Sequence, residues 1–451
     1  MSRASTIFLL LSALVVGILV AVLVPLKKSG GKPVGGALFE FDPDDINLIK
    51  ITNGEEVFEL RRTDEGWFTG PLQIDRASVD AIRRLMESAR STPILDRIDA
   101  GEIGDRDELS AYGLKRSRVQ FDFRGDKDLP LLIGKDAVDE TRAYVRFEDS
   151  QHIYLIPDEL VTLIQSPPQD FRDRMPLRVR PDRVDRIVIR RTAGEIELKR
   201  EARGWQLIKP LAAPASAPAV EAFLDKVLRM RVEGFEADTN PGVMGLAEPV
   251  AEVQLYGEGE SLPETIKVGT PSPQGGVFVR LEPRGVTARL PDAISKVLAL
   301  DLASLRDHSL ARINPDLVDM IRVTTPAGSF QLRRRGDGWV IGEKPASEAV
   351  VQRMLEALAE SKSTGFEPAT PDVLKKSGLA QPALGVDFFS VVSENTPETM
   401  AGEQLVTGLK FGKPLESGLV PALVTGSPEI SFVPQKILEA IPLPESAWQA
   451  H

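Results

Sequence analysis

The 451-residue chain has 66 acidic and 55 basic side chains, and its formal net charge is −11. This acidic balance creates no long-range attraction to nucleic acid, so we expect no nucleic-acid partner. Cysteine is absent, which excludes disulfides, cysteine-based zinc sites and cysteine nucleophiles. With 42% hydrophobic and 27% charged residues, the composition is that of a folded chain, and the length predicts several domains.

An apolar segment at residues 7–26 follows a short N-terminal tail, residues 1–6. It reads IFLLLSALVVGILVAVLVPL, long enough as a helix to cross a bilayer. A cleaved signal peptide usually has a shorter apolar region that ends in small residues, whereas this one ends in Val-Pro-Leu-Lys-Lys. The sequence therefore favours an uncleaved transmembrane anchor over a cleaved signal.

Charges beside the anchor are nearly balanced, with Arg3 before it and Lys27, Lys28 and Lys32 after it. That distribution slightly favours a cytoplasmic body, but large C-terminal domains are translocated largely regardless of so small a bias. The segment also lies where a signal-anchor lies. We predict a single-pass inner-membrane protein with its C-terminal body in the periplasm.

Small residues recur within the anchor at Ala13, Gly17 and Ala21. Four-residue spacing places them on one helix face, where small side chains allow another membrane helix to approach closely. The alternative is a plain lipid anchor in which these residues have no partner. A glycine-rich flexible tether, residues 27–40, follows.

Three Gly-Trp pairs mark an internal repeat after the tether. Trp67, Trp205 and Trp339 are 138 residues (67 to 205) and 134 residues (205 to 339) apart. Each pair follows two strands of alternating polarity separated by a glycine-containing turn, which predicts an antiparallel hairpin. We interpret the tryptophans as structural anchors that close each core; a row of stacking surfaces for a glycan or peptide is the alternative.

Further markers follow the tryptophan in one order. They are an amphipathic helix, a Gly-Phe-Glu segment in the second and third copies, a Gly-Leu pair, a glycine inside a later strand, and a proline that opens a short helix. The glycines of the Gly-Leu pairs are Gly113, Gly245 and Gly378, and those of the later strands are Gly134, Gly269 and Gly412.

These markers place three modules at residues 41–180, 181–314 and 315–451. Phe171-Arg172-Asp173 and Leu305-Arg306-Asp307 precede the second and third copies as matching linkers. The predicted fold class is α+β, with the order β-β-β-α-β-β-β-α in each repeat and a mostly antiparallel sheet covered by helices.

Taken together, the membrane helix, the Gly-Trp hairpin, the amphipathic helix and the later Gly-Leu and Ile-Gly-Lys segments resemble the bacterial family called domain of unknown function 4340. The resemblance extends over nearly the whole chain after the tether. Members are often encoded beside membrane components of ABC transporters of the gliding-motility kind, so the resemblance implies a partner of that type. It implies no catalytic residues.

The motifs of common enzyme classes are absent. There is no phosphate-binding P-loop, no H-E-x-x-H and no G-x-S-x-G, and the three histidines are scattered. Nothing indicates a catalytic residue, a metal site or a cofactor, although a Ser-Lys arrangement stays open. We expect His152 and His308 to have structural roles, and the glycine-rich loop at residues 269–276 to be a long hairpin turn rather than an anion site.

Basic tracts at Arg61-Arg62, Arg190-Arg191 and Arg333-Arg334-Arg335 are interpreted as solvated strand ends occupying one place in each copy. A site for an acidic partner is the alternative.

The sequence thus predicts a non-enzymatic, membrane-anchored, extracytoplasmic accessory or scaffold subunit of an ABC-type envelope transport or gliding-motility-like assembly. The alternative is a cell-envelope enzyme, or a glycan- or peptide-binding protein with a groove between modules. A polar cluster present in one module and absent from its siblings would point to a site, and matching surfaces would point to a scaffold.

Overall fold

The computed structural model describes residues 31–450 except 54–55, 71–73, 100–101, 103–109, 115–118, 125–129, 203, 238–239, 337 and 392–401. The predicted anchor at residues 7–26, including Ala13, Gly17 and Ala21, lies outside the described residues. Within the described ranges, no helix is both long and apolar enough to cross a membrane.

The described residues form three nine-stranded sheets, mostly antiparallel, with few helices. This agrees with the predicted α+β class. We call the residues around each sheet the first, second and third module.

In the first module the described residues form the helices α1 (Val79–Ser91) and α2 (Glu159–Ile164). Its strands are β1 (Leu48–Asn53), β2 (Glu56–Thr63), β3 (Gly66–Gly70), β4 (Asp75–Arg76), β5 (Asp96–Ile98), β6 (Val119–Arg124), β7 (Leu131–Asp136), β8 (Arg142–Phe147) and β9 (Ile153–Pro157).

The second module contains α3 (Ala217–Leu228), α4 (Ala293–Leu298) and α5 (Leu302–Leu305). Its strands are β10 (Val184–Arg191), β11 (Gly194–Glu201), β12 (Gly204–Lys209), β13 (Ala213–Pro214), β14 (Gly234–Phe235), β15 (Ala251–Gly257), β16 (Glu264–Pro271), β17 (Val277–Glu282) and β18 (Val286–Leu290).

The third module contains α6 (Glu348–Glu360) and α7 (Pro371–Lys376). Its strands are β19 (Met320–Thr325), β20 (Gly328–Arg335), β21 (Gly338–Ile341), β22 (Lys344–Pro345), β23 (Gly365–Pro368), β24 (Leu384–Val391), β25 (Glu403–Phe411), β26 (Leu419–Val424) and β27 (Glu429–Pro434).

Strand order in the first sheet is β4-β3-β2-β1-β6-β7-β8-β9-β5, and the corresponding strands of the other two sheets follow the same order. The sheet grows outward on both sides of the central antiparallel pair β1 and β6, in which Ile49 faces Phe123. Both edges are short, since β4 has two residues and β5 has three. Short edge strands offer little backbone for unwanted pairing.

A hydrophobic core forms where the α1 helix packs on the first sheet. Ser78 caps this helix by accepting a hydrogen bond from the Ala81 N–H at 3.2 Å, as expected of serine at this position. Spacings of three and four residues place Ile82, Leu85 and Met86 on one buried face. They join the buried residues of the strands in a single cluster.

The two recurring glycine markers meet each other in the fold. A Cβ on Gly134, Gly269 or Gly412 would collide with the carbonyl oxygen of Tyr112, Met244 or Ser377, the residue before the glycine of each Gly-Leu pair. In the second module the Thr270 N–H donates to that Met244 carbonyl at 2.9 Å. Glycine is therefore required because one backbone segment lies directly on another.

Each sheet has more strands than the six that the sequence predicts. The edge strands, two to four residues long, are too short to show period-two alternation. The second half of each sheet has four long strands, for example β6 to β9, where the sequence predicts three. Helices α5 and α7 are also additional.

The described chain separates into two compact units. One comprises the residues up to Lys199 together with Glu221–Leu300, and the other comprises Arg200–Val220 with the residues from Asp301 onward.

Trp67, Trp205 and Trp339 are buried, with exposed fractions of 8%, 3% and 7%. Trp205 also has the Arg200 guanidinium 4.9 Å from its ring centroid. Burial is what a role as core anchor requires, and the energetic contribution of each ring stays a prediction.

We predict that Trp205→Ala lowers the free energy of unfolding by about 3–5 kcal/mol, because it empties a buried aromatic site. Leu262→Ala, at a side chain 74% exposed, is the control and should have little effect. Urea unfolding of the full chain measures both. An unchanged stability of the Trp205 variant would contradict the anchor role.

Candidate functional site

Asp75 is a buried carboxylate at the edge of the first sheet, in the two-residue strand β4. Its side chain is 0% exposed. Burying a carboxylate costs free energy unless the group is paired and hydrogen-bonded. The partners of Asp75 therefore show how this cost is offset.

Arg284 of the second module approaches Asp75 from the turn between β17 and β18. Its Nε donates to Asp75 Oδ1 at 2.5 Å and its Nη2 to Oδ2 at 2.8 Å, a two-pronged pair. The same guanidinium donates to the carbonyl oxygens of Met175, at 3.1 Å, and Asp173, at 2.7 Å. One side chain thus connects the second module to a strand and to the C-terminal segment of the first.

Arg172, in that C-terminal segment, completes the contact. Its Nε donates to Asp75 Oδ2 at 2.7 Å, and its guanidinium lies 3.7 Å from the ring centroid of Phe235. Phe235 belongs to the Gly-Phe-Glu segment of the second module. We call Asp75, Arg172 and Arg284 the junction clasp.

Charge balance explains why these groups stay ionised. Burial by itself would raise the pKa of Asp75, but the hydrogen bonds and charges of Arg284 and Arg172 outweigh it and hold that pKa below its ordinary value. Burial lowers the pKa of Arg172, and Asp75 opposes that change. Arginine remains protonated throughout the physiological range.

A second carboxylate extends the network. Asp173 accepts from Arg178 Nε at 2.9 Å and lies 3.5 Å from Arg76 Nε. Burial and the nearby charge of Arg284 lower the pKa of Arg76. Around the clasp, therefore, buried and partly exposed charges contact one another.

The junction between the second and third modules repeats the contact of arginine with phenylalanine but not the pair formed by Asp75 and Arg284. Arg306 lies 3.7 Å from the ring centroid of Phe366, the phenylalanine of the third module's Gly-Phe-Glu segment. Ala213 occupies the place of Asp75, and Glu429 of the third module pairs with Arg306 at 2.5 Å instead. The arginine-on-phenylalanine contact is common to both junctions, whereas Asp75 and Arg284 are particular to the first.

A groove of about 550 Å³ lies beside the clasp. Its lining is mainly apolar and includes Val57, Phe58, Gly70, Pro167, Pro168 and Phe235. Glu56, Glu236 and Arg172 are its charged residues. This combination of apolar surface with a few polar groups is typical of a small binding site.

The predicted anchor tryptophans lie in three different sheets, and each is buried in its own module, so none of the three rings is exposed as a stacking surface. His152 Nδ1 lies 3.1 Å from Asp99 Oδ1, and His308 contacts two backbone carbonyls. In the part of the chain described here, no three histidine or acidic side chains are arranged to hold a metal ion.

The basic tracts lie at or near the ends of strands, as predicted, but the prediction that they occupy one place in each copy is wrong for the second copy. Arg61 and Arg333 lie in the second strand of their sheets, β2 and β20, and Arg190 lies in the first strand, β10. Their guanidinium groups contact Glu59, Glu403 and Glu195, respectively.

Sequence reasoning recognised the Arg-Asp linkers and the Gly-Phe-Glu segments as markers but assigned them no role. Their recurrence at equivalent positions was the available signal. Asp75 and Arg284 recur nowhere and are 209 positions apart, so no sequence signal connected them.

We predict that Arg284→Met lowers the free energy of unfolding by about 3 kcal/mol, because it removes one partner of a buried ion pair while Arg172 still faces Asp75. Arg183→Met, in an exposed pair with Glu258, is the control and should cost no more than about 1 kcal/mol. Denaturant unfolding at neutral pH measures both, and equal losses would contradict the clasp.

The same unfolding measurement at acidic pH tests the direction in which the pKa of Asp75 is shifted. Because the clasp holds the pKa of Asp75 down, its stabilisation is present above about pH 4 and is lost as the pH falls through the folded-state value. Arg284→Met should therefore weaken the dependence of stability on pH below about pH 4.

Comparison with known proteins identifies one family. The profile described as "Domain of unknown function (DUF4340)" matches residues 72–241 and again residues 205–382. No curated protein matches the chain. No solved structure matches it either.

Proposed function

Because the chain belongs to the DUF4340 family, whose description assigns no activity, we propose a function from the site: a non-enzymatic, membrane-anchored scaffold subunit of an ABC-type envelope transport or gliding-motility-like assembly. In this proposal residues 7–26 form the anchor, and three repeat modules, residues 41–180, 181–314 and 315–451, form a periplasmic body.

The observation that carries the proposal is the arginine stacked on the phenylalanine of a Gly-Phe-Glu segment at both junctions, a matching surface of the kind expected of a scaffold. Asp75 and Arg284 line a cavity of about 320 Å³, but they bond to each other there and hold two modules together. The stacked arginine of the second junction serves the same purpose with a different carboxylate. Charges used in this way support a bracing role rather than a reaction.

The partner class comes from the family resemblance, in which members accompany ABC transporters of the gliding-motility kind. The small-residue stripe of the anchor supports the same proposal, because Ala13, Gly17 and Ala21 provide a face on which a membrane helix can pack. An anchor alone requires only length and hydrophobicity.

We predict that Gly17→Leu leaves membrane insertion unchanged but reduces co-purification of the transporter-type partner several-fold, because leucine fills the groove between helices. Val15→Leu, on the helix face opposite the stripe, is the control. Crosslinking in native membranes followed by affinity capture of the full chain measures both variants. Equal capture by the two variants would place the partner contacts elsewhere and contradict the helix-packing hypothesis.

The groove beside Phe58 and Phe235 favours the second candidate, a glycan- or peptide-binding protein. Gly70 lines this groove, and a Cβ added there meets nothing within 4 Å. Its backbone also needs no left-handed conformation. A larger side chain at Gly70 can therefore fill the groove without straining the strand.

We expect Gly70→Phe to abolish binding of any oligosaccharide or extended peptide that the groove accepts, while Gly70→Ala retains it. Immobilised peptide and peptidoglycan-fragment arrays, probed with the full chain in detergent, provide the measurement. Absence of binding by the parent chain, or equal binding by both variants, would eliminate this second candidate and leave the scaffold proposal unaffected.

A further inference from the structure

His308 connects the last helix of the second module to the third module. Its ring Nδ1 lies 2.8 Å from the Ser363 carbonyl oxygen, and its Nε2 lies 3.0 Å from the Ala303 carbonyl oxygen. Ala303 belongs to α5, and Ser363 precedes strand β23. Both partners of the ring are therefore backbone acceptors, one on each side of the junction.

Both contacts can be hydrogen bonds only if each ring nitrogen carries a proton. A neutral imidazole has one N–H and one bare nitrogen, and a bare nitrogen cannot bond to a carbonyl oxygen. Only the imidazolium donates from both nitrogens. We propose that His308 is a protonation-controlled latch, which fastens α5 to the third module when the ring is charged and releases one side when the ring is neutral.

The helix that contains Ala303 favours a charged His308 ring. Ala303 lies in the four-residue helix α5, whose carbonyls near the C-terminal end carry partial negative charge and favour a nearby cation. The His308 ring also lies beside Phe366, with ring centroids 5.4 Å apart. Aromatic faces attract cations.

Charged groups on the surrounding elements determine how the ring responds to pH. They are Arg306, Asp307, Arg312, Lys362, Glu367 and Glu429. Arg306 pairs with Glu429 and Arg312 with Asp307, at 2.5 and 2.7 Å, which partly offsets their repulsion of the imidazolium. Lys362 donates to Ser309 Oγ at 2.7 Å.

The two hydrogen bonds of the His308 ring differ in how far neighbouring backbone contacts hold them in place. Beside the Ser363 bond, the Ser363 N–H donates to the His308 carbonyl at 2.6 Å, and a β-bridge joins Ser309 to Lys362. The Ala303 bond has no such support and is exposed to water. On deprotonation we expect the ring to keep the Ser363 bond and give up the Ala303 bond, so that α5 is the side released.

The test is hydrogen–deuterium exchange of the full chain in detergent, corrected for intrinsic rates, at about pH 5.5 and about pH 8. Protection of the α5 amides, residues 302–306, should fall roughly fivefold at the higher pH, because a charge-assisted bond is lost. Ring ¹⁵N shifts of His308 should show both nitrogens protonated at the lower pH.

Two variants separate the latch from general stability. His308→Gln should lose the pH dependence, and His308→Arg, a permanently charged donor, should keep α5 protected at both pH values. His152→Gln is the matched control and should behave like the parent. An equal pH response in the parent and His308→Gln, or a ring with one bare nitrogen at about pH 5.5, overturns the proposal.

Discussion

Burial of Asp75 is the constraint on which the junction of the first two modules depends. A carboxylate with no exposed surface must be paired, and its partners come from two places that are distant in the sequence, the first module's C-terminal segment and a turn of the second module. Correct assembly of the junction is thus a condition for tolerating the charge. A misplaced second module would leave Asp75 with Arg172 as its only guanidinium partner, so the Arg284 pair favours the observed arrangement of the two modules.

The three modules share a framework but differ where they meet. Arginine stacked on phenylalanine occurs at both junctions, and it combines charge with apolar area in a way that lysine could not reproduce. The carboxylate comes from the preceding module in one case, Asp75, and from the following module in the other, Glu429. The arginine-on-phenylalanine contact that both junctions share is the kind of matching surface expected of a scaffold. The groove beside the first junction is instead expected of a protein that binds a small ligand.

Much of the framework could be predicted from sequence because its signals are local. Alternating strands around each Gly-Trp pair and the stripe of Ile82, Leu85 and Met86 reflect nearby residues and elementary periodicity. The short edge strands could not be predicted, since Asp75 and Arg76 make a strand only by pairing with β3. Arg284 resembles an ordinary residue of a solvated turn until the partner module supplies Asp75. The same applies to His308, whose two acceptors are 5 and 55 residues away.

Each junction brings together unlike edges of the two sheets that it joins. Asp75 lies on the β4 edge of the first sheet, whereas Phe235 lies on the opposite type of edge, β14, of the second sheet. At the second junction, Ala215 adjoins the β13 edge and Phe366 lies in the β23 edge. Each contact is therefore head-to-tail and joins unlike surfaces. A series of such contacts stays open unless its rotation returns to the starting position, in contrast to a two-fold dimer interface, in which one surface meets its own copy.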